Sequence, residues 1–355
     1  MFLVCFLSVN GQDNLANQFS RIPNTSINDI SIDGNNDILV ATGSGLYQLQ
    51  DFTMDAEQVN NGGIYALAKD EDGRNWLGLY SNQIAALTKN ETFATGIAKN
   101  NMITAMIIHQ NKVWIGTNEG LYVMSLRQMK EMPHYHTNNS KLVSNQITDL
   151  EIDEKGQVWI GTNRGISIFD GKNWETKLEN KQVSAIKRNG SEMWVAANKT
   201  IQKIGKELKW QTIAMPLNYT NHTIRDLAFD FSGNLWIATN HVLKYNTQTN
   251  VFSVYDSNTG FNSSMAVCIA VDNDNQIWVG TAGKGLYKIN NTLIEMPFAT
   301  NTDKDKTAFA GILNRTTAKS PDSETPETEK VEKVEVVEEP KKVPERYLII
   351  LKMKT

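Results

Sequence analysis

The chain has 355 residues, a formal net charge of −4 and 40% hydrophobic residues. An excess of positive charge is lacking, which argues against a nucleic-acid-binding protein, while the hydrophobic fraction suffices for a packed core. Of the two cysteines, Cys5 lies in the N-terminal apolar run and Cys268 in a predicted strand. If the N-terminal run is removed, no intrachain disulfide can form, so we expect Cys268 to be a buried, inert thiol.

The first twelve residues contain an apolar run at positions 2–9 that resembles the core of a secretion signal. The run is short and lacks a basic start, but it favours export, and residues 1–12 are therefore predicted to be a signal peptide. The protein would then be periplasmic or extracellular. Residues 18–21 follow in the position of an outermost strand, where they would complete the last repeat. The alternative segment for that role is 292–297, which Pro297 would restrict to a sheet edge.

From residue 27 onward, one pattern occurs seven times. A large apolar residue sits inside a short strand, usually followed two residues later by Gly or Ala, and a short apolar run precedes it by eleven or twelve residues. The large residues are Leu39, Trp76, Trp114, Trp159, Trp194, Trp236 and Trp278. Each unit has room for four short strands with turn signals between them, and the alternation by two argues against a helical solenoid. We predict an all-β fold, a seven-bladed β-propeller of four-stranded antiparallel blades over residues 13–298.

Two of these copies carry a family resemblance. The stretches VWIGTNEGL at 113–121 and LWIAT at 235–239 resemble the two-component regulator propeller repeat. That resemblance implies the extracytoplasmic sensing part of a bacterial hybrid sensor kinase, which acts in signal transduction by binding a ligand. Such sensors usually add a second propeller, a further β domain, a membrane helix and a kinase. None of these is recognisable here, so a separate sensor kinase is an expected protein partner.

The composition changes after the last repeat. Residues 299–346 are rich in Glu, Lys, Val, Pro, Ser and Thr, which predicts a disordered charged linker, because such a segment buries too little apolar area to offset its ordering entropy. Residues 347–355 form a short apolar stub. It is far below the roughly 20 residues that a membrane-spanning helix needs, so no membrane span is expected.

Candidate binding residues come from the loops that enter each first strand and from the turns between second and third strands, which gather on one face of a propeller. Aromatic and basic side chains in these loops predict a site for an anionic or glycan-like ligand. The predicted ligand-binding residues are Tyr80, Arg164, Tyr219, His222, Arg225, His241 and Lys284.

Other patterns receive a structural interpretation. The tryptophans recur inside apolar strands, so we interpret them as packing residues rather than sugar-stacking platforms. Asp29, Asp149 and Asp226 occupy equivalent positions, where they could line the channel mouth and grip a ligand or, as we favour, cap backbone N–H groups. The long interval between Trp114 and Trp159 indicates an insertion around residues 126–142, which we expect to extend the outer hairpin of one blade. Within it, His134 and His136 would share one face of a strand, but no third metal ligand accompanies them.

No catalytic constellation, cofactor motif or metal site is recognisable, which favours a protein that is not an enzyme. Two alternatives to a sensor remain open. One is an interaction scaffold without a small ligand. The other is a propeller lyase or lactonase, which would require histidines and carboxylates that converge on the channel.

Overall fold

The structure is a computed structural model that describes residues 16–19, 22, 26–32, 35–49, 56–60, 62–81, 83–87, 92–95, 101–128, 130–131, 133–263 and 265–289. The predicted signal peptide, linker and stub, and the candidate strand at 292–297, lie outside these residues. Within the described part of the chain, no helix has the length and hydropathy needed to cross a membrane.

Seven four-stranded antiparallel sheets form a β-propeller, which confirms the predicted fold and blade number. In blades 1 to 6 the strands pair in chain order, and in blade 7 the outermost strand comes from the start of the chain. The strands are β1 (Ala16–Phe19), β2 (Ile27–Ile32), β3 (Ile38–Thr42), β4 (Gly45–Leu49), β5 (Ala56–Asn60), β6 (Ile64–Lys69), β7 (Asn75–Leu79), β8 (Ile84–Leu87), β9 (Thr92–Thr95), β10 (Ile103–His109), β11 (Lys112–Thr117), β12 (Gly120–Ser125), β13 (Lys130–Glu131), β14 (Ile147–Ile152), β15 (Val158–Thr162), β16 (Gly165–Phe169), β17 (Trp174–Lys177), β18 (Val183–Asn189), β19 (Glu192–Ala197), β20 (Thr200–Ile204), β21 (Trp210–Ile213), β22 (Asp226–Phe229), β23 (Leu235–Ala238), β24 (Val242–Asn246), β25 (Val251–Tyr255), β26 (Ala266–Val271), β27 (Ile277–Thr281) and β28 (Leu286–Ile289). Two short 3-10 helices, Leu217–Tyr219 and Ser257–Thr259, lie in the loops that enter blades 6 and 7.

The N-terminal strand closes the ring. Strand β1 pairs antiparallel with β28, with Ala16 opposite Ile289 and Phe19 opposite Leu286. Ile22 follows it and is buried beside Ile27 of blade 1 and Trp278 of blade 7. The first of the two closing segments considered above is therefore the one paired in the structure. Closure joins the two ends of the chain of blades, so no sheet face is left without a neighbour.

The hydrophobic core lies between adjacent blades. One cluster joins Trp114 and Val123 of blade 3 to Ile147 and Ile160 of blade 4, and clusters of the same kind occur between other neighbouring blades. The small residue two positions after each tryptophan makes this contact possible. A Cβ atom added at Gly116 would lie 2.5 Å from Ile147 Cγ2, so a larger residue there would separate the two blades.

Five of the six tryptophans at the repeated strand position also donate a hydrogen bond to a carboxylate, which the sequence interpretation did not predict. In blades 2, 4, 6 and 7 the acceptor is the aspartate six residues earlier, for example Asp230 Oδ2 at 3.0 Å from Trp236 Nε1. The same carboxylate also accepts from the backbone of its turn, at Ser232 N and Asn234 N. One aspartate therefore fixes the turn between the first two strands and anchors the buried indole.

Blade 3 lacks this bond, and blade 5 indicates how to restore it. Blade 5 has a shorter turn, and Glu192 Oε2 accepts from Trp194 Nε1 at 3.0 Å. The equivalent residue of blade 3 is Lys112, and Trp114 Nε1 is buried without a hydrogen-bond partner among the described residues. We expect Lys112→Glu to stabilise the protein by about 1 kcal/mol, because it supplies the missing acceptor. Urea unfolding of Lys112→Glu and Lys112→Gln would measure this effect; a Glu variant less stable than wild type would contradict it.

The insertion in blade 3 differs from the prediction that it extends the outer hairpin. Strand β13 has only two residues, and the chain then returns to the loop face, where Tyr135 forms an isolated bridge with Leu121. His134 and His136 flank this bridge, and their rings lie on the same side of the chain, with centroids 5.2 Å apart. The His134 ring also stacks on Tyr122, with centroids 3.8 Å apart.

Candidate functional site

The entering loops and the turns between second and third strands meet on one face, the loop face. A backbone hydrogen bond joins the two segments in several blades, for example Tyr80 N to Gly63 O at 2.8 Å and Ala282 N to Met265 O at 3.1 Å. The turns are fixed locally. Thr162 donates from Oγ1 to Gly165 O at 2.8 Å and accepts from Arg164 N at 3.1 Å. The repeated threonine at the end of the second strand thus holds the loop-face turn in place.

An axial channel opens on the loop face and contains a cavity of about 400 Å³. All seven first strands line it, because alternation along a strand turns every second side chain to the axis. The second residue of each first strand, or its equivalent in blade 6, forms a mostly polar ring around this cavity. These residues are Asn28, Tyr65, Thr104, Thr148, Ser184, Arg225 and Val267.

Three aspartates connect neighbouring blades inside the channel. Asp29 accepts from Ile30 N of its own blade and from Leu67 N of the next blade, both at 2.8 Å. Asp149 forms the same pair of bonds with Leu150 N and Ile186 N, and Asp226 with Leu227 N and Ile269 N. These carboxylates cap backbone N–H groups, as favoured from the sequence, and they also line the cavity.

The arrangement of these aspartates follows from their geometry. In blades 1, 2, 4, 5 and 7, a register irregularity in the first strand lies just before the backbone N–H group that donates a hydrogen bond to an aspartate. Because each carboxylate serves two adjacent blades, three aspartates serve six blades. Blade 3 is the seventh. Its amide at Met106 faces no such carboxylate, because Ala66 and Ala105 occupy the aspartate positions of blades 2 and 3.

Lys187 supplies positive charge within this acidic channel. Its Nζ lies 3.8 Å from Glu151 Oε2, and its side chain remains 47% exposed to the channel. The Glu151 carboxylate, followed by burial and by the three aspartates, determines its electrostatics, and the net effect raises the pKa of Lys187. Burial raises the pKa of Asp29 and of Asp149 to about 7, although backbone hydrogen bonds and Lys187 oppose the shift.

Four of the predicted binding residues meet on the loop face of blade 6. The rings of His222 and His241 lie 5.6 Å apart, and Tyr219 makes edge contacts with both, at 5.2 and 5.9 Å. Arg225 follows in the same loop and lines the cavity. Nδ1 of each histidine is buried without a hydrogen-bond partner among the described residues. Burial, then His241 and Arg225, lowers the pKa of His222. We call these four residues the blade 6 cluster.

Tyr80 belongs to a second group on the loop face. Its ring stacks on Tyr65, with centroids 3.9 Å apart, and its hydroxyl accepts from Asn28 Nδ2 at 2.8 Å. Asn28 also donates to Ile64 O at 2.6 Å, so the group connects blades 1 and 2. Tyr80 is nevertheless 42% exposed. Because Tyr65 and Asn28 line the same cavity as Arg225, both groups border one opening.

The other two predicted residues lie apart from these groups. Arg164 and Lys284 are exposed in the turns of blades 4 and 7, where their amides donate to the hydroxyls of Thr162 and Thr281. Their assignment to a ligand site stays a prediction. Within the described ranges, no three His, Cys, Asp or Glu side chains are grouped in a way that could hold a metal ion. Cys268 is a free buried thiol in β26, and burial raises its pKa.

The repeat identity is decided by two matched segments. The sequence pattern of the two-component regulator propeller matches residues 141–164 and 260–283, which hold the loop-face segments of blades 4 and 7. Two of the seven blades therefore contain segments that match the two-component regulator propeller repeat. No curated protein shows a significant match to the whole chain.

Solved structures similar to this propeller include two bacterial ectodomains. The extracellular domain of a putative hybrid two-component system from B. thetaiotaomicron is 21% identical, with a TM-score of 0.70 over 79% of this chain and 41% of that one. The extracellular domain of a putative one-component system from the same organism is 18% identical, with a TM-score of 0.66 over 75% and 38%. This chain thus spans about two fifths of their length.

Enzymes share the architecture too. Virginiamycin B lyase from Staphylococcus aureus, in a catalytically inactive form with quinupristin, is 13% identical. Its TM-score is 0.66 over 79% of this chain and 98% of the lyase. At these identities the likeness establishes the fold alone.

Sequence reasoning missed several residues that line the channel of the propeller. Asn28, Tyr65, Glu151 and Lys187 were not singled out, although each lies on a first strand. Both the second and the fifth positions of strands β14 and β18 line the channel, because a register irregularity between the first and third positions shifts the alternation by one residue. Alternation alone would therefore not have placed Glu151 and Lys187 in the channel together with Thr148 and Ser184.

Proposed function

We propose that this chain is a non-enzymatic binding propeller that recognises a ligand or protein partner on its loop face, as the sensing part of a two-component system. The observation that carries the proposal is the blade 6 cluster, where two adjacent imidazoles with unpartnered nitrogens lie beside Arg225, and Arg225 lines a cavity of about 400 Å³. A concave opening with a few convergent polar groups is typical of ligand sites.

The positions of the exposed apolar side chains also favour the loop face as the binding surface. Four of the six exposed large hydrophobic residues in the described part of the chain, Tyr80, Met102, Leu217 and Met265, lie in entering loops or in turns between second and third strands. The other two, Leu208 and Phe231, lie in turns at the opposite end of their blades. Exposed apolar groups rimmed by polar residues commonly mark interaction surfaces. A glycan or an anionic fragment is the proposed small ligand, and a sensor kinase is the proposed protein partner.

Export is part of the proposal. It is supported by the apolar run at residues 2–9 and by the likeness to two extracellular domains. In the native host, the protein should therefore fractionate with the periplasm or the medium. Recovery in the cytoplasm alone would contradict this location.

A thermal-shift screen of glycans and peptidoglycan fragments tests the binding function. We expect a compound that raises the melting temperature of wild type and shifts Tyr80→Ala and His241→Ala by less than half as much. Phe231→Ala is the matched control, because Phe231 is a 69% exposed aromatic residue in a turn at the opposite end of blade 6. An unchanged shift in both loop-face variants would place the site elsewhere.

A lyase is the second candidate function, and one observation favours it. His222 and His241 converge at the channel mouth of a fold that virginiamycin B lyase shares. Two adjacent imidazoles can act as a general acid and base when their pKa values differ. Mass spectrometry of any compound that binds separates the two functions, since a sensor returns the compound intact and a lyase does not.

A further inference from the structure

Arg225 carries a charge that no described side chain neutralises. Its guanidinium donates to Thr223 O and Asn240 Oδ1, both at 3.3 Å, and it forms no ion pair within the described residues. Burial lowers the pKa of Arg225, which shows that its environment opposes the positive charge. A partly buried guanidinium held only by two long bonds to neutral oxygens retains donors for a further acceptor.

The neighbouring acid is not available to Arg225. Asp226 follows directly in the chain, but both of its carboxylate oxygens accept backbone amides, from Leu227 N at 2.7 Å and Ile269 N at 2.8 Å. Asp256, the other acid that acts on the blade 6 cluster, raises the pKa of Tyr219 together with burial. It caps its own 3-10 turn through Asn258 N.

The two histidines extend this donor-rich environment. Nδ1 of His222 and Nδ1 of His241 have no partner among the described residues, and the rings are 5.6 Å apart. Protonating one ring places a second positive charge beside Arg225, which the mutual repulsion opposes. An anion between them would relieve that repulsion and accept the new N–H donors.

We propose that Arg225, His222 and His241 form an anion-binding subsite at the channel mouth that takes a carboxylate or phosphate group. This deepens the proposed function, because the anion would be one group of the ligand that the loop face recognises. Binding takes up a proton at His222, since the anion stabilises the imidazolium. The charged and titratable groups around that ring are Arg225, His241, Tyr219 and, through Tyr219, Asp256.

NMR titration of the full chain tests the subsite. Inorganic phosphate and acetate are added separately at constant ionic strength, and the imidazole C–H signals are assigned with His222→Gln and His241→Gln. We expect the anion to raise the pKa of His222 and to bind about tenfold more tightly at pH 5.5 than at pH 7.5. Comparing the two anions shows whether a carboxylate or a phosphate fits better.

Arg225→Ala should weaken the binding of the preferred anion at least about tenfold. Arg127→Ala is the matched control, because Arg127 is an exposed arginine in the turn between β12 and β13, away from the loop face, and the affinity of this variant should equal that of wild type. Equal effects of the two variants, or no response of either histidine to either anion, would overturn the subsite. If a compound from the screen still binds and Arg225→Ala leaves it unchanged, only the subsite fails. If no compound or partner binds, the proposed function fails.

Discussion

Deleting residues 13–22 is expected to lower the melting temperature by roughly 10 °C or more. The deletion removes β1, the outermost strand of blade 7, and leaves the backbone of β28 unpaired from Leu286 to Ile289. It also removes Ile22, whose burial beside Trp278 contributes about 1.5–3 kcal/mol. Differential scanning calorimetry measures the change.

A deletion that stops before the strand, removing residues 2–12 only, is the control and should keep the melting temperature of wild type. Single substitutions refine the test. Along an edge strand, successive backbone N–H groups point alternately toward the neighbouring strand and away from it. Proline removes one N–H group, so Asn17→Pro and Gln18→Pro should lower the melting temperature by clearly different amounts. If the long deletion and both proline variants melt within about 2 °C of wild type, β1 does not close the ring.

Replacing Asp149 by Ala is expected to lower the melting temperature by roughly 5–10 °C. The change leaves the amides of Leu150 and Ile186 without their acceptor and removes the direct link between blades 4 and 5. Each buried unsatisfied amide costs about 1–3 kcal/mol. Asp149→Asn keeps one acceptor oxygen, so its melting temperature should lie between those of Asp149→Ala and wild type. Glu154→Ala removes an exposed acid of the same blade and should have little effect.

The same aspartates predict how stability depends on pH. Burial raises the pKa of Asp29 and Asp149 to about 7, against 3.8 in the unfolded chain. Between pH 3.8 and about pH 7, these two carboxyl groups therefore stay protonated in the folded protein but are ionised in the unfolded chain. Their contribution to stability is fully present below pH 3.8 and is lost as the pH rises through about 7. We expect the melting temperature to fall from pH 5.5 to pH 8, and the slope to decrease in Asp149→Asn. A slope unchanged in that variant would refute the assignment.

Periodicity made the fold predictable, because each of the seven copies carries its own strand and turn signals. The key residues from Leu39 to Trp278 lie one per blade, as the spacing required. The pairing of β1 could only be offered as one of two alternatives, since a four-residue strand has little signal of its own. The insertion of blade 3 was misassigned, because the bridge between Leu121 and Tyr135 is a tertiary contact.

The candidate site was predictable only in part. Loop position alone pointed to Tyr219, His222, Arg225 and His241, and the structure brings these four together. Loop position could not distinguish these four residues from Arg164 and Lys284, which lie in equivalent turns of blades 4 and 7. The links from Asp29 to Leu67 and from Asp149 to Ile186 join residues 38 and 37 positions apart, which local patterns do not reveal.

Each aspartate links two neighbouring blades, so three aspartates link six of the seven blades and leave one blade without such a link. Carboxylates therefore reinforce the boundaries between blades 1 and 2, 4 and 5, and 6 and 7, while Asn36 bonds to Asp274 across the boundary of blades 7 and 1. At the seams on either side of blade 3, the link position holds Ala66 and Ala105, and apolar contacts supply the adhesion. The boundary between blades 5 and 6 also lacks the link, because Ala185 occupies the position there. Blade 3 differs in that neither of its two boundaries carries such a link within the described residues, so we expect local opening of the ring to begin there.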